Sequence, residues 1–319
     1  MSSPHGDLRL LSGTANLELS ERISREINIP LTDMQVTRFA DGEFDVKIGD
    51  SVRGQDVFVI QPTCHPVSDN LIQLFIILDA LRRASAARVN AVIPYYGYAR
   101  KEKKTQPRDA ISAKLMANII ELAGAGRVIT IDLHAEAIQG FFDIPVDALT
   151  ASKILARHVR ERHGHELVVV SPDTGGTARA RQLARLLEAP IAIIDKRRPK
   201  DDSVEVLNVI GDVAGLKCVV VDDLISTGST LVGAAQALRD AGATMVDVVA
   251  THGVLTDGAL LRLHRAPIDE ICITDTIPLH DGQGAFDDHP KLRILSVAPL
   301  IAEAIVRVHE GRSVSELFR

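Results

Sequence analysis

Residues 218–230 combine an apolar run, two adjacent carboxylates and a turn rich in hydroxyls. The run Cys218-Val-Val-Val221 leads directly into Asp222 and Asp223. The turn that follows consists of Ser226, Thr227, Gly228, Ser229 and Thr230. A carboxylate only accepts hydrogen bonds, so two neighbouring carboxylates suit the two hydroxyls of a vicinal diol. N–H groups and hydroxyls at the start of a helix favour an anion. Diol plus anion predicts a sugar phosphate, although an acidic loop before an ordinary capped helix fits the same residues.

Short β-branched runs alternate with longer amphipathic stretches along most of the chain. Strands are predicted at 56–60, 89–93, 127–131, 167–170, 191–194, 218–221 and 245–250. Helices are predicted at 69–87, 110–123, 151–162, 176–188 and 230–241. Such alternation is typical of mainly parallel sheets flanked by helices. Because ligands bind these sheets at the carboxyl ends of the strands, the acidic pair lies where a ligand is expected.

The two halves of the chain resemble each other. Ala123-Gly-Ala125 ends one predicted helix, and His134 stands nine residues after Ala125. Ala241-Gly-Ala243 ends another, and His252 stands nine residues after Ala243. A strand, a loop and a helix lead up to this point in both halves. We therefore predict two similar α/β domains, 1–149 and 150–319, with the tail 303–319 packing back on the first.

Composition excludes several classes of protein. Of the 319 residues 46% are hydrophobic, which is too many for a disordered chain. No apolar run approaches the roughly 18–20 residues that span a bilayer, and the N-terminus lacks the layout of a secretory signal. The net charge of −6 and only 3% aromatic residues disfavour a nucleic-acid binder. The three cysteines are too far apart for a metal or disulfide framework. We expect a soluble, cytoplasmic protein.

Several further segments occur in order around the acidic loop. They are Phe39-Ala-Asp-Gly-Glu43, Ile93-Pro-Tyr-Tyr-Gly-Tyr-Ala-Arg100, Asp132-Leu-His134, Ile138-Gln-Gly-Phe-Phe142, Ser171-Pro-Asp-Thr-Gly-Gly176, Ile194-Asp-Lys-Arg-Arg-Pro199 and Ser313-Val-Ser-Glu-Leu-Phe318. The acidic loop resembles the phosphoribosyl-pyrophosphate (PRPP) signature of the phosphoribosyltransferase fold. All segments together resemble the ribose-phosphate pyrophosphokinases, or PRPP synthetases, from about residue 8 to the C-terminus.

The resemblance implies two phosphoribosyltransferase-type domains and transfer of the pyrophosphoryl group of ATP to ribose 5-phosphate, giving PRPP and AMP. It implies that Asp222 and Asp223 hold the ribose hydroxyls and that residues 226–230 hold the 5-phosphate. This reaction brings together two polyanions, so it needs alignment and compensating charge. By resemblance, His134 and Asp173 bind Mg²⁺.

The resemblance also assigns the remaining charged segments. Lys196 and Arg198 would form an arm over ATP that stabilises developing charge together with His134. A charge run after a strand is otherwise an ordinary solvated loop. The ATP site would comprise Phe39, Asp41, Glu43, Arg100 and Lys101. In the family the hairpin with Phe39 comes from a neighbouring subunit, which implies a homo-oligomer, typically a hexamer built from dimers.

A regulatory site for phosphate and ADP is implied at six positions. They are Arg53, Gln139, Asp147, Ser313, Ser315 and Phe318. The chain departs from the family pattern at Lys101, where the family usually has glutamine, and at Ser226, where bacterial and mammalian members have aspartate. We expect Lys101 to alter how ATP is held. Ser226 removes a negative charge beside the phosphate loop and is expected to be compatible with activity.

Two alternatives remain open at this point. A catalytically weak regulatory paralogue would keep the fold and the oligomer, and Lys101 is the feature that favours it. A phosphoribosyltransferase that consumes PRPP would share Asp222 and Asp223, but it would not need the Phe39–Glu43 hairpin or the Lys196–Arg198 arm.

Overall fold

A computed structural model describes residues 6–197, 206–256, 258–279 and 289–317. The chain forms two compact units. The first comprises residues up to Thr150, Thr276–Pro278 and the segment from Ser296 onward; the second comprises Ala151–Asp275 and Leu279–Leu295. Among the described residues, none of the helices is long and apolar enough to cross a membrane.

Strands and helices alternate through both units. The described strands are β1 (Leu8–Ser12), β2 (Met34–Arg38), β3 (Phe44–Ile48), β4 (Asp56–Ile60), β5 (Arg88–Ile93), β6 (Arg127–Ile131), β7 (Val146–Leu149), β8 (Leu167–Ser171), β9 (Ile191–Arg197), β10 (Val206–Ile210), β11 (Lys217–Ile225), β12 (Met245–Gly253), β13 (Glu270–Thr274) and β14 (Leu292–Leu295). The described α-helices are α1 (Leu17–Ile27), α2 (Val67–Arg83), α3 (Ser112–Ala123), α4 (Ser152–His163), α5 (Thr177–Leu187), α6 (Ser229–Asp240), α7 (Ala259–Arg265) and α8 (Ala298–His309).

The first unit is built on a parallel sheet. Within its described residues the strand order is β1-β4-β5-β6-β7, and β2 and β3 form a separate antiparallel hairpin. Strand β4 is buried along its whole length, which explains its continuous apolar run. The C-terminal helix α8 packs on α1. It is also held by the fully buried Asp56, whose Oδ2 lies 2.8 Å from His309 Nδ1 and whose Oδ1 accepts a hydrogen bond from Arg88 Nε at 2.9 Å.

The second unit has a similar sheet with additions at both edges, but its connectivity differs because β9 follows its neighbour β8 in the chain, whereas β1 precedes β4. Its described strands follow the order β10-β9-β8-β11-β12-β13-β14, in which β10 alone runs antiparallel. The series β9-β8-β11-β12-β13 corresponds to β1-β4-β5-β6-β7 in the first unit. Strand β11 lies at the centre, between β8 and β12, and its residues 218–221 are buried. Apolar side chains from α6 and α7 cover one face of the sheet, and those from α4 and α5 cover the other.

The structure confirms the predicted mainly parallel α/β architecture but lengthens two strands. The apolar run predicts that one strand ends at Val221, whereas β11 continues to Ile225 because Leu224 and Ile225 pair with β12. The acidic pair therefore belongs to the strand. Likewise β9 continues to Arg197 because it pairs with β10, so Lys196 lies in a strand instead of the predicted loop.

Candidate functional site

The acidic pair lies in the last part of the central strand of the second unit. Asp223 is buried and Asp222 is partly exposed, with 5% and 23% of their side chains accessible. Asp222 Oδ1 accepts a hydrogen bond from the N–H of Asp223 at 2.9 Å. Arg179, on α5, places Nη1 at 3.5 Å from Asp222 Oδ1 and 3.3 Å from Asp223 Oδ1. Two carboxylates thus share one guanidinium.

The electrostatics of this pair oppose full ionisation. Burial raises the pKa of Asp222, and the hydrogen bond and charge of Asp223 raise it further. The positive charge of Arg179 acts in the opposite direction. A ligand that donates hydrogen bonds to both carboxylates, such as a diol, would stabilise their ionised form.

A tight loop connects the acidic strand to α6. Residues 226–228 form this loop, and α6 begins at Ser229. Gly228 adopts φ of 76° and caps the helix with its backbone. The side chains of Thr227, Ser229 and Thr230 are exposed. The N–H groups of a first helical turn lack acceptors within the helix, so this loop presents N–H groups and hydroxyls to an anion.

A second layer of contacts supports the loop from behind. Arg262, on α7, donates a hydrogen bond to the carbonyl of Thr227. Thr256 donates to the carbonyl of Ser226 from its N–H at 3.1 Å and from Oγ1 at 3.3 Å. A Cβ on Gly228 would lie 2.9 Å from Cγ of the buried Leu263, so glycine permits a close approach here. These contacts fix the loop backbone relative to α7.

Asp173 and Lys196 lie at the ends of neighbouring strands. Asp173 follows β8, and its Oδ1 accepts a hydrogen bond from the N–H of Gly176 at 2.9 Å at the start of α5. The carboxylate is only partly buried. Lys196 occupies the end of β9, opposite Leu207. Arg198, predicted as the second cation of the arm, lies outside the described residues.

The predicted adenine-binding residues of the first unit lie at the tip of the β2–β3 hairpin. Phe39, Asp41 and Glu43 are all exposed, Phe39 to 49%. Phe39 and Glu43 are joined by a backbone hydrogen bond of 2.8 Å, and Asp41 Oδ1 accepts from the N–H of Glu43 at 3.2 Å. The turn is therefore ordered locally while the aromatic face stays accessible.

Arg100 and Lys101 lie in the long connection between β5 and α3, and both are exposed. Lys101 Nζ is 3.8 Å from Asp109 Oδ2. Three hydrogen bonds from Thr105 and Gln106 lower the pKa of Asp109, so this carboxylate is ionised at neutral pH. Tyr95 and Tyr96, at the start of the same connection, are buried, and the hydroxyl of Tyr96 donates to the carbonyl of Ala113 at 2.9 Å.

His134 follows β6 and is exposed. Asp132, two residues before His134, has φ of 40°, an uncommon backbone conformation for a residue other than glycine. Its N–H donates to the carbonyl of Leu149 at 2.9 Å, which fixes the turn. The loop thus presents the imidazole at the carboxyl end of a parallel strand.

The predicted regulatory residues differ in their surroundings. Arg53, Gln139, Ser313 and Ser315 are exposed. Asp147 is buried, and its Oδ2 accepts a hydrogen bond from Arg127 at 2.5 Å. Phe318 lies outside the described residues. Ser313 and Ser315 form a local turn through a 3.1 Å contact between their hydroxyls.

The site offers oxygen ligands for a metal. No cluster of three or more histidine, cysteine or acidic side chains able to hold a metal ion occurs in the part of the chain that the structure describes. Mg²⁺ usually keeps several waters and binds one or two carboxylates together with substrate phosphates. The partly exposed carboxylate of Asp173 fits that mode of binding.

Sequence reasoning missed the side chains that act behind the site. Arg179, Arg262 and Thr256 were not predicted to take part. Helix α5 also carries Arg181 and Arg185, so its sequence alone does not indicate which arginine faces the acids. Only the helix packing distinguishes Arg179 from Arg181, whose side chain is exposed.

Comparisons with known proteins cover nearly the entire chain. Residues 8–124 match the N-terminal domain of ribose phosphate pyrophosphokinase, and residues 177–319 match the phosphoribosyl synthetase-associated domain. A ribose-phosphate pyrophosphokinase of Caldanaerobacter subterraneus is 54% identical, with 98% of both chains covered. That of Listeria ivanovii is 51% identical, with all of both chains covered. The crystal structure of phosphoribosylpyrophosphate synthetase from Mycobacterium smegmatis has a TM-score of 0.90 and 41% identity, covering 96% of this chain and 99% of that one. The chain therefore belongs to the ribose-phosphate pyrophosphokinase family.

Proposed function

We propose that this protein transfers the pyrophosphoryl group of ATP to the anomeric hydroxyl of ribose 5-phosphate, giving PRPP and AMP. The observation that carries the proposal is the pairing of Asp222 and Asp223 with the loop 226–230 at the carboxyl end of one strand. Acceptors for a diol at the end of β11 and donors for a phosphate in the residues that follow stand in one continuous segment. The full-length family match supports the same activity.

In this reaction the anomeric oxygen attacks the β-phosphorus of ATP. The bond from that phosphorus to the oxygen bridging it to the α-phosphorus breaks, AMP leaves and the attacking hydroxyl loses its proton. Asp222 and Asp223 bind the ribose hydroxyls, and the backbone and hydroxyls of the loop bind the 5-phosphate. Holding the sugar at both ends orients the anomeric oxygen for attack.

ATP binding involves exposed groups of the first unit. Phe39 stacks on adenine, Asp41 and Glu43 accept from its exocyclic amine, and Arg100 and Lys101 contact the phosphates. Exposure of the hairpin tip suits insertion into the site of a second copy. We therefore propose a homo-oligomer, a hexamer built from dimers, with phosphate and ADP as effectors and the cytoplasm as its location.

Asp173 and His134 would hold Mg²⁺, which offsets the negative charge of the phosphates and orients them. Lys196 and Arg198 would stabilise the charge that develops on the transferred group, aided by His134. Lys101, where the family usually has glutamine, adds a cation to the ATP site; its ion pair with Asp109 is long enough for phosphate to compete with it.

The test is to incubate purified protein with Mg-ATP and ribose 5-phosphate and to separate the products by chromatography. We expect AMP and PRPP in equal amounts. ADP as the only nucleotide product would indicate simple phosphoryl transfer and overturn the proposal. Absence of turnover would favour the catalytically weak regulatory paralogue. Consumption of added PRPP with a nucleobase would indicate a phosphoribosyltransferase.

A further inference from the structure

One guanidinium lies against both acids of the sugar site. The side chain of Arg179 is 22% exposed, and its Nη1 lies within 3.5 Å of a carboxylate oxygen of each acid. Arg179 stands in the first turn of α5, which follows the turn that Asp173 closes by accepting from Gly176. The cation is therefore carried by a helix whose start is fixed at the same end of the sheet as the site.

We propose that Arg179 is a positioning residue that holds Asp222 and Asp223 side by side as acceptors for the ribose diol. This inference rests on the proposed function and adds a residue to its sugar site. Arg179 acts through the two carboxylates and is given no contact with the sugar.

The distances indicate that Arg179 positions the two carboxylates without occupying all of their lone pairs. Charge-assisted hydrogen bonds between nitrogen and a carboxylate are usually about 2.7–2.9 Å long. The contacts of Arg179 are longer, at 3.5 Å and 3.3 Å, so they attract both carboxylates and still leave lone pairs for hydroxyl donors. A shorter bidentate bond to one acid would have occupied two of the roughly four lone-pair sites of that carboxylate.

The charge balance leads to the same conclusion. Two adjacent carboxylates in a largely buried position repel each other, and one of them would otherwise rotate away or take up a proton. A protonated carboxyl would place a donor where the diol needs an acceptor. The charge of Arg179 acts against burial and against Asp223, which raise the pKa of Asp222, and it leaves the three groups with a single net negative charge that can still accept hydrogen bonds.

Arginine suits this position better than lysine. A guanidinium is planar, always charged and weakly hydrated, so it can contact two acids at once in a partly buried place. An ammonium is a compact, strongly hydrated charge on a flexible chain. Lysine at 179 is therefore expected to restore only part of the effect.

The experiment compares Arg179→Gln and Arg179→Lys with the wild type by calorimetric titration. The ligands are ribose 5-phosphate and 2-deoxyribose 5-phosphate, which lacks one hydroxyl of the diol. We expect Arg179→Gln to weaken ribose 5-phosphate binding by roughly 10-fold to 100-fold and the deoxy sugar much less. The preference for the diol should therefore fall in Arg179→Gln and be partly restored in Arg179→Lys. Arg181→Gln, an exposed change on the same helix, should match the wild type.

Equal weakening of both sugars would mean that Arg179 only maintains the fold, and unchanged binding would mean that it has no part; either result overturns the inference. Binding does not require turnover, so the two proposals fail separately. A wild-type protein that binds ribose 5-phosphate but makes no PRPP would overturn the proposed activity alone.

Discussion

The backbone conformation of the proposed phosphate loop requires a residue without a side chain at Gly228. Its φ of 76° lies in the left-handed region, where any other L-residue costs about 1–2 kcal/mol. A Cβ would also meet Leu263 Cγ at 2.9 Å, and Leu263 is fully buried. Forcing a methyl group into packed surroundings costs roughly 1–3 kcal/mol. Gly228→Ala should therefore carry both the conformational cost and the steric cost.

Gly215→Ala separates the two contributions. Gly215 has φ of 74°, but a Cβ there would meet none of the described atoms within 4 Å. It lies between β10 and β11, away from the loop in sequence, so this variant carries the conformational cost alone. We expect Gly215→Ala to lose about 1–2 kcal/mol in the free energy of unfolding and to keep its affinity for ribose 5-phosphate.

The assays are urea unfolding followed by circular dichroism and calorimetric titration with ribose 5-phosphate. If the loop of Gly228→Ala stays in place, the steric contribution lowers stability by about 1–3 kcal/mol beyond the control. If the loop moves away from Leu263, the cost appears in the binding free energy of ribose 5-phosphate instead. Each loss of about 1.4 kcal/mol then lowers the affinity tenfold. The two losses taken together should exceed those of the control. If Gly228→Ala and Gly215→Ala showed the same losses in unfolding free energy and in affinity for ribose 5-phosphate, the reasoning would be refuted.

Three further changes test other parts of the molecule. Lys196→Ala should lower kcat by about 10²–10³ with little change in the KM for ATP, because we assign Lys196 to the transition state. Phe39→Ala should raise the KM for ATP by at least about fivefold, since stacking on one base contributes about 1–3 kcal/mol, and should leave thermal stability nearly unchanged because the ring is exposed. Asp247→Asn should lower the free energy of unfolding by about 3–5 kcal/mol at neutral pH, because Arg162 and His163 donate to Asp247 Oδ2 at 2.7 Å and 2.6 Å in a buried place.

The Asp247 prediction has a defined pH dependence. Burial alone would raise the pKa of Asp247, but the hydrogen bonds and charges of His163 and Arg162 outweigh burial and lower it. The ionised carboxylate therefore stabilises the fold above its unfolded pKa of about 3.9, and this contribution is lost as the pH falls through the lower folded value. Wild type and Asp247→Asn should converge in stability as the pH falls below about 4.

Each of these three has a contrary outcome that can be measured. Equal loss of kcat and ATP affinity in Lys196→Ala would mean that the lysine binds the ground state. An unchanged KM for ATP in Phe39→Ala would exclude stacking. A stability difference for Asp247→Asn that does not shrink as the pH is lowered progressively below about 4 would mean that charge plays no part in it.

Local sequence was sufficient where one segment contains the whole feature. The acids, the hydroxyls and Gly228 all lie within residues 222–230, so residue type alone predicted a strand, a turn and a helix start. It was insufficient where pairing with another segment decides the outcome. Strand β11 continues beyond Val221 because Leu224 and Ile225 pair with β12. The sequence of the acidic segment does not indicate this pairing.

The same limit applies to the side chains behind the site. Arg179 and Arg181 have the same chemistry and stand two residues apart, and only the orientation of α5 against β11 brings the first to the acids. Arg262 reaches the carbonyl of Thr227 from a different helix. Such residues carry no local pattern, because their role depends on a contact with a distant part of the chain.

A comparison of corresponding elements accounts for our placing the proposed sugar site in the second unit only. Strand β5 and helix α3 of the first unit correspond to β11 and α6 of the second. In the second unit residues 226–228 suffice to connect them, so the carboxylates of the strand and the start of the helix stay adjacent. In the first unit residues 94–111 intervene, and β5 ends at Ile93 without an acid. A diol and its phosphate need both features within one sugar's length. The longer connection removes that adjacency and provides instead the exposed Arg100 and Lys101, cations that suit a nucleotide.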